Sequence, residues 1–116
     1  MQFSYLFLKN HRYLESRLFR VRPAQVYFSR RTDRPEVPKS IVIESNCSSN
    51  LFAEAVSSRH DVITAGKSCG IIKPGESVEV KVTPKLRAFQ SPYVGTVHVS
   101  LLIDNAKVDI PVKFVD

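Results

Sequence analysis

The sequence predicts an all-β fold, an antiparallel β-sandwich of seven or eight strands preceded by a short basic N-terminal segment. Three observations predict it. Apolar and polar residues alternate in short runs from Val21 to the C-terminus, and a period of two belongs to strands. Turn residues separate these runs at regular spacing, as in sandwiches and barrels. The length of 116 residues with 43% hydrophobic content fits one domain with its own core.

The elements follow in chain order. Residues 1–20 read as a basic N-terminal segment, and residues 21–116 as the sandwich. Phe3, Tyr5 and Phe7 alternate, which predicts an extended piece over 2–8. Leu14, Leu18 and Val21 stand at i, i+4 and i+7, which predicts a helical turn or two. An arginine-rich start resembles a transit peptide, but Glu15 and arginines continuing into the strand region weigh against one. Strands are then expected at 21–28, 39–46, 51–57, 69–73, 76–83, 94–103 and 106–115. Pro74-Gly75 is a turn signal, since proline presets φ and glycine accepts φ > 0. After it Val78, Val80 and Val82 alternate with Ser77, Glu79, Lys81 and Thr83, giving one apolar and one wet wall. Val97 to Ile103, a turn near Asp104-Asn105-Ala106, and Val108 to Phe114 form a hairpin. Pro111 has no amide hydrogen. The lateral side of the last strand that holds Asp109, Pro111 and Lys113 is therefore expected to be an edge, a bulge or a solvent-facing gap. Such an edge either accepts a partner's strand or is blunted by the proline against one.

The net charge of +6 is unevenly placed. Residues 1–34 carry eight basic groups (Lys9, Arg12, Arg17, Arg20, Arg22, Arg30, Arg31, Arg34) against Glu15 and Asp33. The remaining residues carry nine Lys/Arg and nine Asp/Glu. Arg12, Arg17, Arg20, Arg22, Arg30, Arg31 and Arg34 are thus the candidate partner-binding residues. Interleaved with Tyr13, Phe19, Tyr27 and Phe28, they suit acidic protein surfaces first, an anionic membrane face or RNA second; no nucleic-acid motif is present. No apolar run approaches the roughly 20 residues of a membrane span.

Nothing assembles into a catalytic or metal site, and no cofactor is expected. His11, His60 and His98 are far apart and none stands at ligand spacing from a cysteine. The four glycines are too scattered for a phosphate cradle. Cys47 and Cys69 lie 22 positions apart in a chain without tryptophan, unlike the inter-sheet disulfide of antibody-type domains. They read as two free thiols in a reducing compartment. Cys47 sits in a serine- and asparagine-rich loop with no base beside it.

Residues 21–116 resemble the PapD-like immunoglobulin superfamily, specifically the ASH domain (ASPM, SPD, Hydin), a relative of the major sperm protein domain. Val21-Arg22-Pro23-Ala24-Gln25-Val26-Tyr27-Phe28 looks like its first strand. Ser40-Ile41-Val42-Ile43 runs into Glu44-Ser45-Asn46-Cys47-Ser48, Ile72-Lys73-Pro74-Gly75 leads into the valine strand and Pro84, and Tyr93-Val94-Gly95-Thr96-Val97 opens the penultimate strand. The resemblance implies an immunoglobulin-like sandwich and a non-catalytic protein-interaction module, similar to centrosomal Spd/Cep scaffold proteins. It also implies a cytoplasmic setting at the cytoskeleton, centrosome or cilium. A membrane-contact or trafficking tether of the sperm-protein type is the alternative it leaves open. The segment Phe52 to His60 lacks the basic motif with which some major sperm protein domains bind acidic tracts, so no site residue is carried over.

Overall fold

The computed structural model describes residues 7–9, 13–66, 70–90 and 95–116. Its first sheet holds β1 (Phe7–Lys9), β2 (Tyr13–Glu15), β3 (Phe19–Arg22), β5 (Lys39–Ser45), β9 (Ser77–Pro84) and β7 (Ile63–Ala65), in that spatial order. The second holds β4 (Val26–Ser29), β11 (Ala106–Val115), β10 (Val97–Ile103), β6 (Leu51–Ser57) and β8 (Gly70–Ile72). One short helix, α1 (Leu86–Gln90), follows β9. Every pairing is antiparallel except β4 with β11.

The alternation read from sequence builds both inner faces. On β10, Val97, Val99, Leu101 and Ile103 are buried; on β11, Val108, Ile110 and Val112 are. Asp104 and Asn105 turn between them and Ile103 pairs with Ala106. Opposite, β5 contributes Ile41 and Ile43, and β9 contributes Val80 and Val82. In the Lys73–Glu76 turn the Glu76 N–H donates to the Lys73 carbonyl at 3.0 Å. Gly75 has φ 78° and stands third of the four residues, where a type II turn requires φ > 0.

The leading segment departs from the expected form. No helix covers 14–21; residues 13–15 and 19–22 are strands of a hairpin. Ser16 Oγ accepts the N–H groups of Leu18 (3.1 Å) and Phe19 (3.2 Å), which closes its turn. Leu14 and Val21 then face each other across the ladder, so the i, i+7 spacing marks a cross-strand pair. A helix would also have brought Arg20 and Arg22 round the cylinder, whereas the strand puts both outward and buries Phe19 and Val21.

The expected first strand, 21–28, is divided. β3 lies in the first sheet; the chain crosses at Pro23–Gln25, where the Arg22–Pro23 bond is cis, and β4 continues in the second sheet. The leading chain thus supplies Phe19 and Val21 from one sheet and Val26 and Phe28 from the other, all four buried. Phe28 stacks on Phe114 with ring centroids 5.4 Å apart, and Phe89 of α1 meets Phe114 edge-on at 6.2 Å. β7 and α1 were not expected: five residues or fewer carry no readable period.

Candidate functional site

The predicted arginines do not form one surface. Arg12, like Cys69, lies outside the described residues. Arg20 pairs with Glu15 at 3.3 Å and lies 4.5 Å over the Tyr13 ring. Arg22 pairs with Glu44 at 3.2 Å. Arg30 is structural: its guanidinium donates to the carbonyls of Ala88 (3.1 Å) and Phe114 (3.3 Å), pairs with Asp116 at 3.5 Å and caps the Phe114 ring. Arg17, Arg31 and Arg34 are exposed and have no ion pair among the described residues. Arg17 is in the β2–β3 turn at one end of the sandwich. Arg31 and Arg34 are in the β4–β5 loop at the other end, since β3 and β4 run between them. Of these six described arginines, spread over a face and both ends, three are neutralised locally and three stay unpaired among the described residues.

Near Arg31 and Arg34 the Glu36 N–H donates to the Pro84 carbonyl at 2.8 Å, which seats the β4–β5 loop against the start of α1. Exposed Val37 and Leu86 follow Glu36 and Lys85, an ion pair at 3.4 Å. On the same end Asp61 accepts from Arg59 (2.9 Å) and Arg87 (3.1 Å). The hydrogen bonds with Arg59 hold the Asp61 carboxyl below its ordinary range and raise the guanidinium above its own.

The sheet edges differ in how they are finished. β4 is an outer strand of the second sheet, yet its free side is occupied. Lys39 Nζ donates to the Tyr27 carbonyl at 2.7 Å. The Ser29 N–H donates to Asp33 Oδ2 at 2.6 Å, and the Asp33 N–H returns to the Ser29 carbonyl at 2.8 Å. Lys39 and Asp33 also pair, at 3.3 Å. Pro111 lies just before the stretch of β11 that pairs with β4, namely Val112 to Val115. The His98 N–H donates to Ser58 Oγ and its carbonyl accepts the Ser58 N–H, so His98 faces β6. Its partner Pro111 then faces away from β10, into the space ahead of β4. Lys113 corrects the expectation of an edge: it pairs with Tyr27.

The opposite edge, β8, is open. Phe52 donates its N–H to Asp104 Oδ1 at 2.9 Å and accepts the Asp104 N–H at 2.8 Å, so it faces β10. The Phe52–Ile71 pair is therefore the widely bonded kind, and Ile71 turns its N–H and C=O outward. Neither has a partner among the described residues. The Ile71 side chain is 60% exposed and Phe52 is 50% exposed; with Val56 they stand on the outer face of the second sheet. Sequence pattern gave Phe52 and Ile71 as strand residues, but which strand ends a sheet is a property of the topology.

The polar chemistry is modest. On the outer face of β10 and β11, Ser100 Oγ donates to Asp109 Oδ1 at 2.7 Å, and His98 Nε2 is 4.0 Å from the same oxygen. No hydrogen bond joins the imidazole to the hydroxyl among the described residues, so the base–nucleophile contact of an activated serine is not formed. Among the described residues no three metal-ligating side chains gather. Cys47 is a free thiol, half-buried against the core. Its Sγ is 3.4 Å from Ser49 Oγ, and that hydroxyl, with the backbone of Ser49 and Ser48, holds the thiol below its ordinary range against the opposing charge of Asp104. The sequence showed no base beside Cys47; the loop serines lower the thiol's pKa instead. A pocket of about 100 Å³ opens between the sheets beside Leu18, Leu51 and Asn105.

No family model matches the chain, and no curated protein matches it in sequence. Its architecture does have counterparts. SSP-19, an MSP-domain protein-like family member of Caenorhabditis elegans, superposes with TM-score 0.66 at 10% identity, over 83% of this chain and 98% of that one. The C. elegans MSP family member WR4 gives TM-score 0.66 at 8% identity, over 82% and 95%. The CupB2 chaperone of Pseudomonas aeruginosa gives TM-score 0.60 at 11% identity, over 82% of this chain and 54% of the chaperone. The fold is the PapD-like immunoglobulin sandwich. At these identities the likeness is one of architecture. No helix among the described residues is long and apolar enough to cross a membrane.

Proposed function

We propose that the chain is a non-catalytic protein–protein interaction module of a centrosomal or ciliary scaffold. The observation that carries this reading is the outer face of the second sheet, where Phe52, Val56 and Ile71 stand exposed beside an unfinished edge. Phe52 and Ile71 are cross-strand neighbours, with Val56 farther along the same face beyond Glu54, and exposed apolar side chains grouped on a sheet face mark a partner surface. The resemblance of residues 21–116 to ASH domains is what suggests the setting; the structural counterparts bear only on protein interaction. One of them, the CsuC chaperone of Acinetobacter baumannii, was captured in a pre-assembly complex with a tip adhesion subunit. The test is the position of a tagged chain in ciliated cells. Enrichment at centrosomes or basal bodies is expected, and its loss in Phe52→Ser/Val56→Ser. A diffuse signal for the unaltered chain overturns the scaffold reading.

The second reading, a binder of acidic tails, is favoured by Arg31 and Arg34, which are exposed at one end beside Val37 and Leu86. Arg31→Glu/Arg34→Glu is expected to weaken capture of an acidic peptide about tenfold or more at low salt, and the difference to shrink as salt rises. Equal capture by both proteins discards it.

A further inference from the structure

We propose that β8 is a self-association edge, through which two copies of this chain pair their second sheets into one continuous sheet. The proposal rests on reading that face as a protein-binding surface and names its occupant as a second copy. Ile71 turns both its N–H and its C=O away from β6, and neither has a partner among the described residues. A single residue with a free donor and a free acceptor is self-complementary about a two-fold axis. Set antiparallel, Ile71 donates to Ile71 of the partner subunit and accepts from it, which is the closely bonded pair of an antiparallel ladder.

The side chains suit the same geometry. Phe52 and Ile71 face each other on the outer surface, 50% and 60% exposed. The two-fold axis lines up Phe52 and Ile71 with Ile71 and Phe52 of the partner subunit, one apolar row across the junction. Among the described residues, the neighbours do not oppose it. Gly70 has open space around it, so a second backbone meets no side chain there. The exposed Lys73 of each copy lies two residues from the axis, which sets the two ammonium-bearing residues about 13 Å apart along the strands. That exceeds the Debye length of about 8 Å at physiological salt, so their repulsion is screened. The other outer strand of the sheet, β4, is closed by Lys39 and Asp33, so association stops at two copies rather than running on as a fibre.

A three-residue edge makes a small interface, which places the pairing in the weak class. Sedimentation equilibrium of the purified chain is expected to show a monomer–dimer equilibrium with Kd on the order of tens of micromolar. Ile71→Pro removes the donor without breaking a bond of the monomer, and Ile71→Asp brings two carboxylates together at the axis. Each is expected to raise Kd at least tenfold, with the thermal midpoint changed by only a few degrees. A wild-type chain that stays monomeric at millimolar concentration overturns the proposal, and so does an Ile71→Pro chain that dimerises unchanged. Slowed exchange of the Ile71 amide in a monomeric chain on adding an extended Val-Thr peptide assigns the edge to a foreign strand and overturns the second copy. A monomer that still localises defeats the pairing alone; a dimer that stays diffuse defeats the scaffold reading alone.

Discussion

Asp33 does three things from a loop position. It accepts the Ser29 N–H, donates its own N–H back to Ser29, and anchors the ammonium of Lys39. That ammonium in turn caps the Tyr27 carbonyl and lies 5.2 Å from the Phe28 ring. The Ser29 hydrogen bond first, then Lys39, hold the Asp33 carboxyl below its ordinary value of 3.8, against partial desolvation. A depressed carboxyl stabilises the fold above the unfolded pKa and loses that contribution as pH falls through the lowered value. Asp33→Asn is therefore expected to destabilise by about 1–2 kcal/mol at pH 7, and the difference from wild type to shrink at an acid pH where the carboxyl takes up its proton. Denaturant titrations at both pH values measure it; an equal deficit at both would rule out the charge as the cause. Gly75 is a different kind of residue. Its φ of 78° is left-handed and nothing lies within 4 Å of an added Cβ, so Gly75→Ala has only a conformational cost, about 1 kcal/mol. That position was plain in the sequence as Pro-Gly. The Asp33–Lys39 seal was not, because it joins two residues whose meeting depends on the path of the loop.

Strands were legible where their period was long enough to count. The β10–β11 hairpin and the valine strand after Gly75 stand within three residues of their expected bounds. Three-residue strands have no period, which is why β7 was missing, and a hairpin mimicked a helix at Leu14, Leu18 and Val21. Pro111 was legible as a missing donor, but what lies opposite it depends on where β4 begins. Since Pro111 turns its backbone toward the space ahead of the β4 ladder, Pro111→Ala breaks no hydrogen bond and loses only the contacts of a partly buried ring. Its cost is expected to stay within about 1 kcal/mol, chiefly through the freer unfolded chain. Ile110→Ala next to it, at a fully buried position, is expected to cost about 2–5 kcal/mol. Thermal or denaturant unfolding compares the two, and similar losses would mean that Pro111 is part of the packed ladder.

At the scale of the molecule, the basic leading segment is built in rather than appended. The charge imbalance was correct as arithmetic, but it could not reveal that the same residues supply core. Phe19, Val21, Val26 and Phe28 are all buried, and their burial is worth roughly 6–12 kcal/mol gross, comparable with the whole stability of a small domain. Removing residues 1–34 is expected to leave a chain without a cooperative unfolding transition by circular dichroism; a truncated chain that melts sharply would contradict this. Charge-reversal variants are therefore the sound probes of the arginines. The strand that changes sheets at Pro23 has one more consequence. β4 runs parallel to β11, residue against residue from Val26–Val112 to Ser29–Val115, so the strand that follows the crossing lies beside the last strand and points the same way. Tension applied between Pro23 and the end of β11 would load that ladder lengthwise, and its bonds would shear together instead of opening one at a time.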